Sequence, residues 1–168
     1  DGAGPADSVL TDPRELAAAP EVLAFINANP WCDVPDEKGQ TSFRWKPGQE
    51  VDTLGLVKSA GTVHSEPVEY PAAVVEFSSA GQVTFGKVND SADFRDGLNG
   101  FQPVVIAGKA LISEEKETHP RTAIGADQAG KTLWLVVVDG RQKGYSEGMD
   151  LTELGKLMQG MGCWSATN

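Results

Sequence analysis

Asp139 closes a strongly apolar run, Leu133-Trp-Leu-Val-Val-Val138, and is followed by Gly140 and Arg141. A carboxylate at the end of a buried strand is partly desolvated unless a partner stands beside it. Its proton affinity then rises and suits acid–base work, or falls next to a guanidinium. Arg121 and Arg141 flank the same expected hairpin, and a planar guanidinium can hold a phosphodiester through two parallel hydrogen bonds. A plainer reading has Asp139 making turn hydrogen bonds with Arg121 as its structural partner. The residues alone leave both readings open. Asn27 and Asn29 sit in Ile26-Asn-Ala-Asn-Pro-Trp31, and Asn168 is the final residue. An amide offers both a donor and an acceptor, as sugar hydroxyls require. Trp31, Trp45 and Trp164 offer flat apolar faces for a sugar ring, although turns and cores are the commoner uses of Asn and Trp.

Other chemistries find less support. There is no G-x-S-x-G elbow, and Ser146, in Tyr-Ser-Glu-Gly, reads as a turn hydroxyl. Phosphate-cradling glycine motifs are missing. The two histidines, His64 and His119, fall in no metal-ligand spacing. Neither a metal nor a cofactor is implied. Cys32 and Cys163 each lie beside a Trp. They form either one bridge, closing a loop of about 130 residues that chain-entropy models credit with a few kcal/mol, or two buried thiols. A bridge would favour an exported protein.

These groups must be positioned by a chain of 168 residues, which suits one domain with a real core. Fourteen Lys and Arg face 24 Asp and Glu, a formal charge of −10. That excludes the basic footprint nucleic acid requires. No apolar run approaches the roughly 20 residues needed to span a bilayer. An anionic ligand fits only if the few arginines converge.

Residues 1–11 are small and polar and are expected to be loosely held. Asp12–Ala19 predicts a short helix with Asp12 as N-cap, Pro13 at the first position and Pro20 as stop. Val22–Asn27, nearly continuous in apolar residues, predicts a buried strand. A long loop over 28–48 and a strand over Leu54–Ser59 follow, and His64–Tyr70 reads as irregular. Ala72–Phe77 and Gln82–Lys87 predict a hairpin across Ser-Ser-Ala-Gly. The stretch 89–99 is polar with charges of both signs, Phe101–Ala107 reads as a strand, and Ser113–Pro120 is an acidic, exposed run. Thr122–Ala126 and Thr132–Asp139 form a second hairpin. Asp150 and Glu153 predict a capping box for a helix over Leu151–Met161. Its Leu151, Leu154, Leu157, Met158 and Met161 make a core stripe. Strands dominate and helices are few, so the expected class is α+β: a mixed, strand-rich sheet core with a few flanking helices.

The order of these segments resembles the phosphodiester glycosidase family, which includes the mannose-6-phosphate uncovering enzyme and many bacterial exopolysaccharide-related proteins. The resemblance rests on His119-Pro-Arg-Thr-Ala-Ile-Gly125, Val136-Val-Val-Asp-Gly-Arg141, Ser146-Glu-Gly148 and the Leu151-Thr-Glu-Leu154 helix, in that order. The family's Asn-Gly-Gly-aromatic segment becomes Asn27-Ala28-Asn29 followed by Pro30-Trp31. Its closing Ala-x-Asn-Leu-Asp-Gly-Gly-Gly-Ser is represented by Ala166–Asn168. The resemblance implies one domain over 1–168, with the rest of that closing segment to be supplied beyond Asn168 or by a second polypeptide. It also implies a secreted or periplasmic hydrolase cleaving a sugar phosphodiester, with a carbohydrate or sugar-phosphate substrate. Asp139 and Arg121 would then be catalytic, Arg121 and Arg141 holding the anionic group. Asn27, Asn29 and Asn168 would bind hydroxyls, and Ser146, Thr122 and His119 would line the phosphate and sugar sites. A non-catalytic glycan-binding or envelope-assembly module is the competing class.

Overall fold

The computed structural model describes residues 6–36, 38–41, 45–68, 73–86 and 93–168. In chain order its elements are β1 (Ser8–Val9), α1 (Pro13–Ala17), β2 (Trp31–Asp33), β3 (Glu50–Thr53), β4 (Val57–Ser59), β5 (Thr62–Ser65), β6 (Val74–Ser78) and β7 (Val83–Gly86). Then come β8 (Phe94–Asn99), β9 (Pro103–Ile106), β10 (Lys109–Ala110), β11 (Arg121–Ala126), β12 (Leu133–Val138), α2 (Leu151–Gly160) and β13 (Ser165–Thr167). They form three sheets, ordered β1-β3-β2, β5-β4-β8-β6-β7 and β10-β9-β13-β11-β12. Every pairing is antiparallel.

This corrects the expected α+β class. The protein is mostly β, with two described helices of 5 and 10 residues. The reason lies in the connections. Parallel strands need long crossovers, commonly helical, whereas this chain turns back through short loops. The β6–β7 and β11–β12 hairpins fall where the alternating β-branched runs and glycine turns place them. Ala72 and Lys87, at the ends of the first expected hairpin, lie outside the described residues, as do residues 1–5 of the N-terminal stretch.

Period-2 alternation gives β11 two working faces. Ala123 and Gly125 point toward α2. A Cβ on Gly125 would meet Cys163 Sγ at 2.6 Å and Met158 Cε at 2.8 Å, so only glycine lets the helix sit this close. Ala123, Leu151, Leu154, Met158, Cys163 and Ala166 form the core on that side, with Val104 and Val105 of β9. Ile124 and Ala126 point the other way and pack on Val75 and Val83 of the second five-stranded sheet, with Phe77, Phe85 and Leu98 against them. The hairpin is thus shared between two cores.

The helix is held at its start. The Asp150 side chain accepts from Glu153 N, and the Glu153 side chain accepts from Asp150 N, closing the expected capping box. The core stripe is narrower than periodicity suggests: Leu157 and Met161 are half-exposed, and Gly155 is buried instead. A Cβ on Gly155 would come within 2.6 Å of the Val104 carbonyl, so β9 occupies the space a larger residue would need.

Two strand expectations fail. Val22–Asn27 is irregular, with Leu23 almost wholly exposed and Phe25 half-exposed. It has apolar residues but no strand to pair with. Conversely, the polar 89–99 stretch contains β8, a central strand between β4 and β6. Its charged start is exposed, while Gly97 and Asn99 are buried.

Candidate functional site

A cavity of about 520 Å³ opens between the two five-stranded sheets. Its walls are the irregular segment 24–28, Phe77 of β6, Leu98 and Asn99 of β8, residues 119–124 leading into and along β11, and Leu133 and Leu135 of β12. Phe101, Arg141, Thr167 and Asn168 complete it. The misread 22–27 segment therefore serves as a wall of this hollow. Its apolar residues face an open space that no strand ladder closes.

The alternation of β11 sorts its side chains. Thr122 Oγ1 donates to Asn27 Oδ1 at 2.6 Å, joining two residues 95 positions apart inside the cavity. Arg121, one residue earlier, is directed to the α2 face. Its Nε donates to the Met149 carbonyl at 2.9 Å. Its Nη2 donates to Glu115 Oε1 at 3.0 Å and to the Glu117 carbonyl at 3.3 Å. Its side chain is 9% exposed. Arg121 borders the cavity with a guanidinium already held as a strut. The structural partner is Glu115, from the acidic run read as merely exposed, and not Asp139.

Asp139 is exposed, follows β12 by one residue, and does not line the cavity. Its backbone carbonyl accepts from Ser146 Oγ at 2.7 Å. Gln142 N also donates to the Ser146 carbonyl at 2.9 Å. Ser146 thus closes the 139–146 loop and spends its hydroxyl on backbone. That loop holds Arg141 at φ 57, a left-handed conformation that is costly for a residue with a Cβ. Arg141 lines the cavity, exposed, with its guanidinium in no hydrogen bond to a described residue.

His119 lines the cavity and is clamped from behind. His119 N donates to the Met149 carbonyl at 3.2 Å, and Met149 N donates back to the His119 carbonyl at 3.0 Å. A Cβ on Gly148 would collide with the His119 backbone, and Gly148 stands at φ +99, so glycine is required there twice over. His119 Nε2 lies 3.5 Å from Glu117 Oε2.

The three Asn candidates separate. Asn27 is in the cavity. Asn29 is not: its Nδ2 donates to the carbonyls of Leu54 and Leu56, and its Oδ1 accepts from Asn99 N at 3.3 Å. Asn168 lines the cavity, with its N bonded to the Gln102 carbonyl at 2.9 Å and its carbonyl accepting from Phe101 N at 2.7 Å. Asn99 went unnoticed in the sequence because it lies in a polar stretch. It is 2% exposed, its Oδ1 accepts from Leu56 N, and its Nδ2 has no partner among the described residues.

None of the three candidate tryptophans among the chain's four lines the cavity: Trp31 and Trp45 pack edge-to-face at 5.8 Å, and Trp164 lies under Gly108. Cys32 and Cys163 are both free thiols. Burial pushes the Cys163 thiol up to about 11.

In a chain of charge −10, Arg141 lines a cavity that, among the described residues, no Asp or Glu lines, with the committed guanidinium of Arg121 at its border. An amide–hydroxyl pair stands beside them over an apolar floor of Phe77, Leu98 and Ile124. The family model described as phosphodiester glycosidase matches residues 27–168, and the chain belongs to that family. No curated protein matches it.

Proposed function

We propose that the protein hydrolyses the glycosidic bond of a sugar joined through its anomeric carbon to a phosphodiester, of the N-acetylglucosamine-1-phosphodiester type, on a cell-surface polysaccharide or related material outside the cytoplasm. The observation that carries this reading is the pairing of Asn27 with Thr122 beside Arg141 in a cavity that no Asp or Glu among the described residues lines. Arg141 would hold the phosphate, since none of those acids competes for its guanidinium. Asn27 and Thr122 would bind sugar hydroxyls. Water's oxygen would bond to the anomeric carbon while the phosphate oxygen departs with the bonding pair. A phosphate leaves readily as an anion, so the proton to be managed is the one lost by water. We assign that proton to His119 in the wall, since Asp139 stands outside the lining. Arg121 would act as a positioning residue through Met149 and the 139–149 loop.

The bare cavity lining also favours a second reading, a glycan-binding module without turnover. Release of N-acetylglucosamine from its methyl phosphodiester separates the two. The hydrolase reading expects release that falls by about a hundredfold in His119→Gln. Binding of the intact ester without release would establish the module instead.

A further inference from the structure

We propose that the substrate is amphiphilic, and that the cavity's apolar wall takes a linear hydrocarbon arm carried on the phosphate. This rests on the reading above and specifies its substrate class.

The register of the β11–β12 hairpin gives the cavity a direction. Arg121 pairs with Val138 and Thr122 with Val137 at one end, next to His119 and Arg141. Ile124 pairs with Leu135 and Ala126 with Leu133 at the other. His119, Arg141 and the Asn27–Thr122 pair therefore gather at one end, and a trough leads away from them along the strands, in which the polar Asn99 and Thr167, the latter opposite Ile124, are buried. From the level of Thr122 to that of Leu133, the register partner of the buried Ala126, it extends about 13 Å at the rise of an extended strand. Its floor, Ile124, Phe77 and Leu98, is continuous with the core between the sheets.

The sides of this trough stand open to solvent. Phe25 is 45%, Phe101 48%, Leu133 39% and Leu135 37% exposed, and all four line this one cavity. Scattered exposed apolar residues need no explanation, but a contiguous set rimmed by polar groups marks a binding surface. A sugar phosphate needs only the polar end. What covers the remainder must be apolar, must extend along the strand direction, and must connect to the anion at Arg141. An alkyl or prenyl chain esterified to the phosphate has that chemistry. The reaction would then break the bond between the anomeric carbon and the phosphate oxygen, adding water to release free sugar and the alkyl phosphate monoester.

The test compares the methyl and octyl phosphodiesters of N-acetylglucosamine, below the micellar concentration, on the full chain. A chain lying against a half-open wall gains about twofold per contacting methylene, so the octyl ester should show at least tenfold higher kcat/KM. In Leu135→Ser the octyl-to-methyl ratio should fall severalfold. A ratio near one in the unaltered protein, with the methyl ester turned over, overturns the hydrocarbon arm and leaves the hydrolase intact. A ratio that persists in Leu135→Ser also overturns it. If neither ester turns over, calorimetric titration with octyl phosphate and methyl phosphate decides. Tighter octyl phosphate binding, lost in Leu135→Ser, upholds the wall while the hydrolase reading falls. Equal binding overturns the arm. Sedimentation showing a dimer at assay concentration that Leu135→Ser dissociates would overturn it as well.

Discussion

Replacing Arg121 by Met should lower stability and leave the chemistry of the cavity largely in place. The substitution keeps an apolar stem of similar reach and removes three hydrogen bonds. The bond from Nε to the Met149 carbonyl has a charged donor and a side chain only 9% exposed, so its loss costs about 1.5–3 kcal/mol. The pair with Glu115 counts for less, because Glu115 is 40% exposed and solvent screens it to about 0–1 kcal/mol. The 3.3 Å bond to the Glu117 carbonyl adds little. Together the loss is about 2–4 kcal/mol. For a chain of this length that lowers Tm by about 5–15 °C. Glu115→Gln keeps an acceptor for Nη2 and should cost under about 1 kcal/mol. Thermal melting followed by circular dichroism reads both, with sugar release measured well below the transition. A Met variant that melts with the unaltered protein yet has lost turnover would refute the strut. It would make the guanidinium a substrate ligand.

Burial raises the Cys163 thiol from about 9 to about 11. The unfolded chain therefore loses this proton first, and stability should decline as pH rises between those values, while below pH 9 this group contributes no pH dependence. In the native protein at pH 8, iodoacetamide should modify Cys32 alone, and mass spectrometry should find Cys163 labelled only after denaturation. Asp150→Ala removes the acceptor for Glu153 N and should cost about 1 kcal/mol in urea melts. Gly55→Ala would place a Cβ 2.6 Å from Asn99 Oδ1 at a φ of +82 and should cost about 2 kcal/mol or more, detected as a lower urea midpoint.

What the sequence made legible was local. The β11–β12 hairpin, the β6–β7 turn and the Asp150 capping box depend on residues within a few positions of one another, and each formed where those residues predict. The expected helix-flanked class failed because connection length, rather than strand content, decides between mixed and antiparallel sheets. Segment 22–27 misled because an apolar run signals burial and says nothing of what will cover it. β8 escaped because the exposed charges at its start mask the buried Gly97 and Asn99 near its end. The site divided along the same line. Thr122 and Asn27 meet only in three dimensions, and the partner of Arg121 came from Ser113–Pro120, whose charges read as solvated. Strand alternation was the available signal: Arg121 and Thr122 are adjacent, so one must point away from the cavity.

The central claim is that the hollow between the two large sheets holds a sugar phosphodiester through Arg141 and breaks its glycosidic bond. Arg141→Asn tests it most directly, because Asn tolerates the left-handed backbone at this position while lacking the cation. Sugar release from N-acetylglucosamine methyl phosphodiester should fall by about a hundredfold with Tm unchanged. Release at the unaltered rate from a folded Arg141→Asn protein would contradict the account.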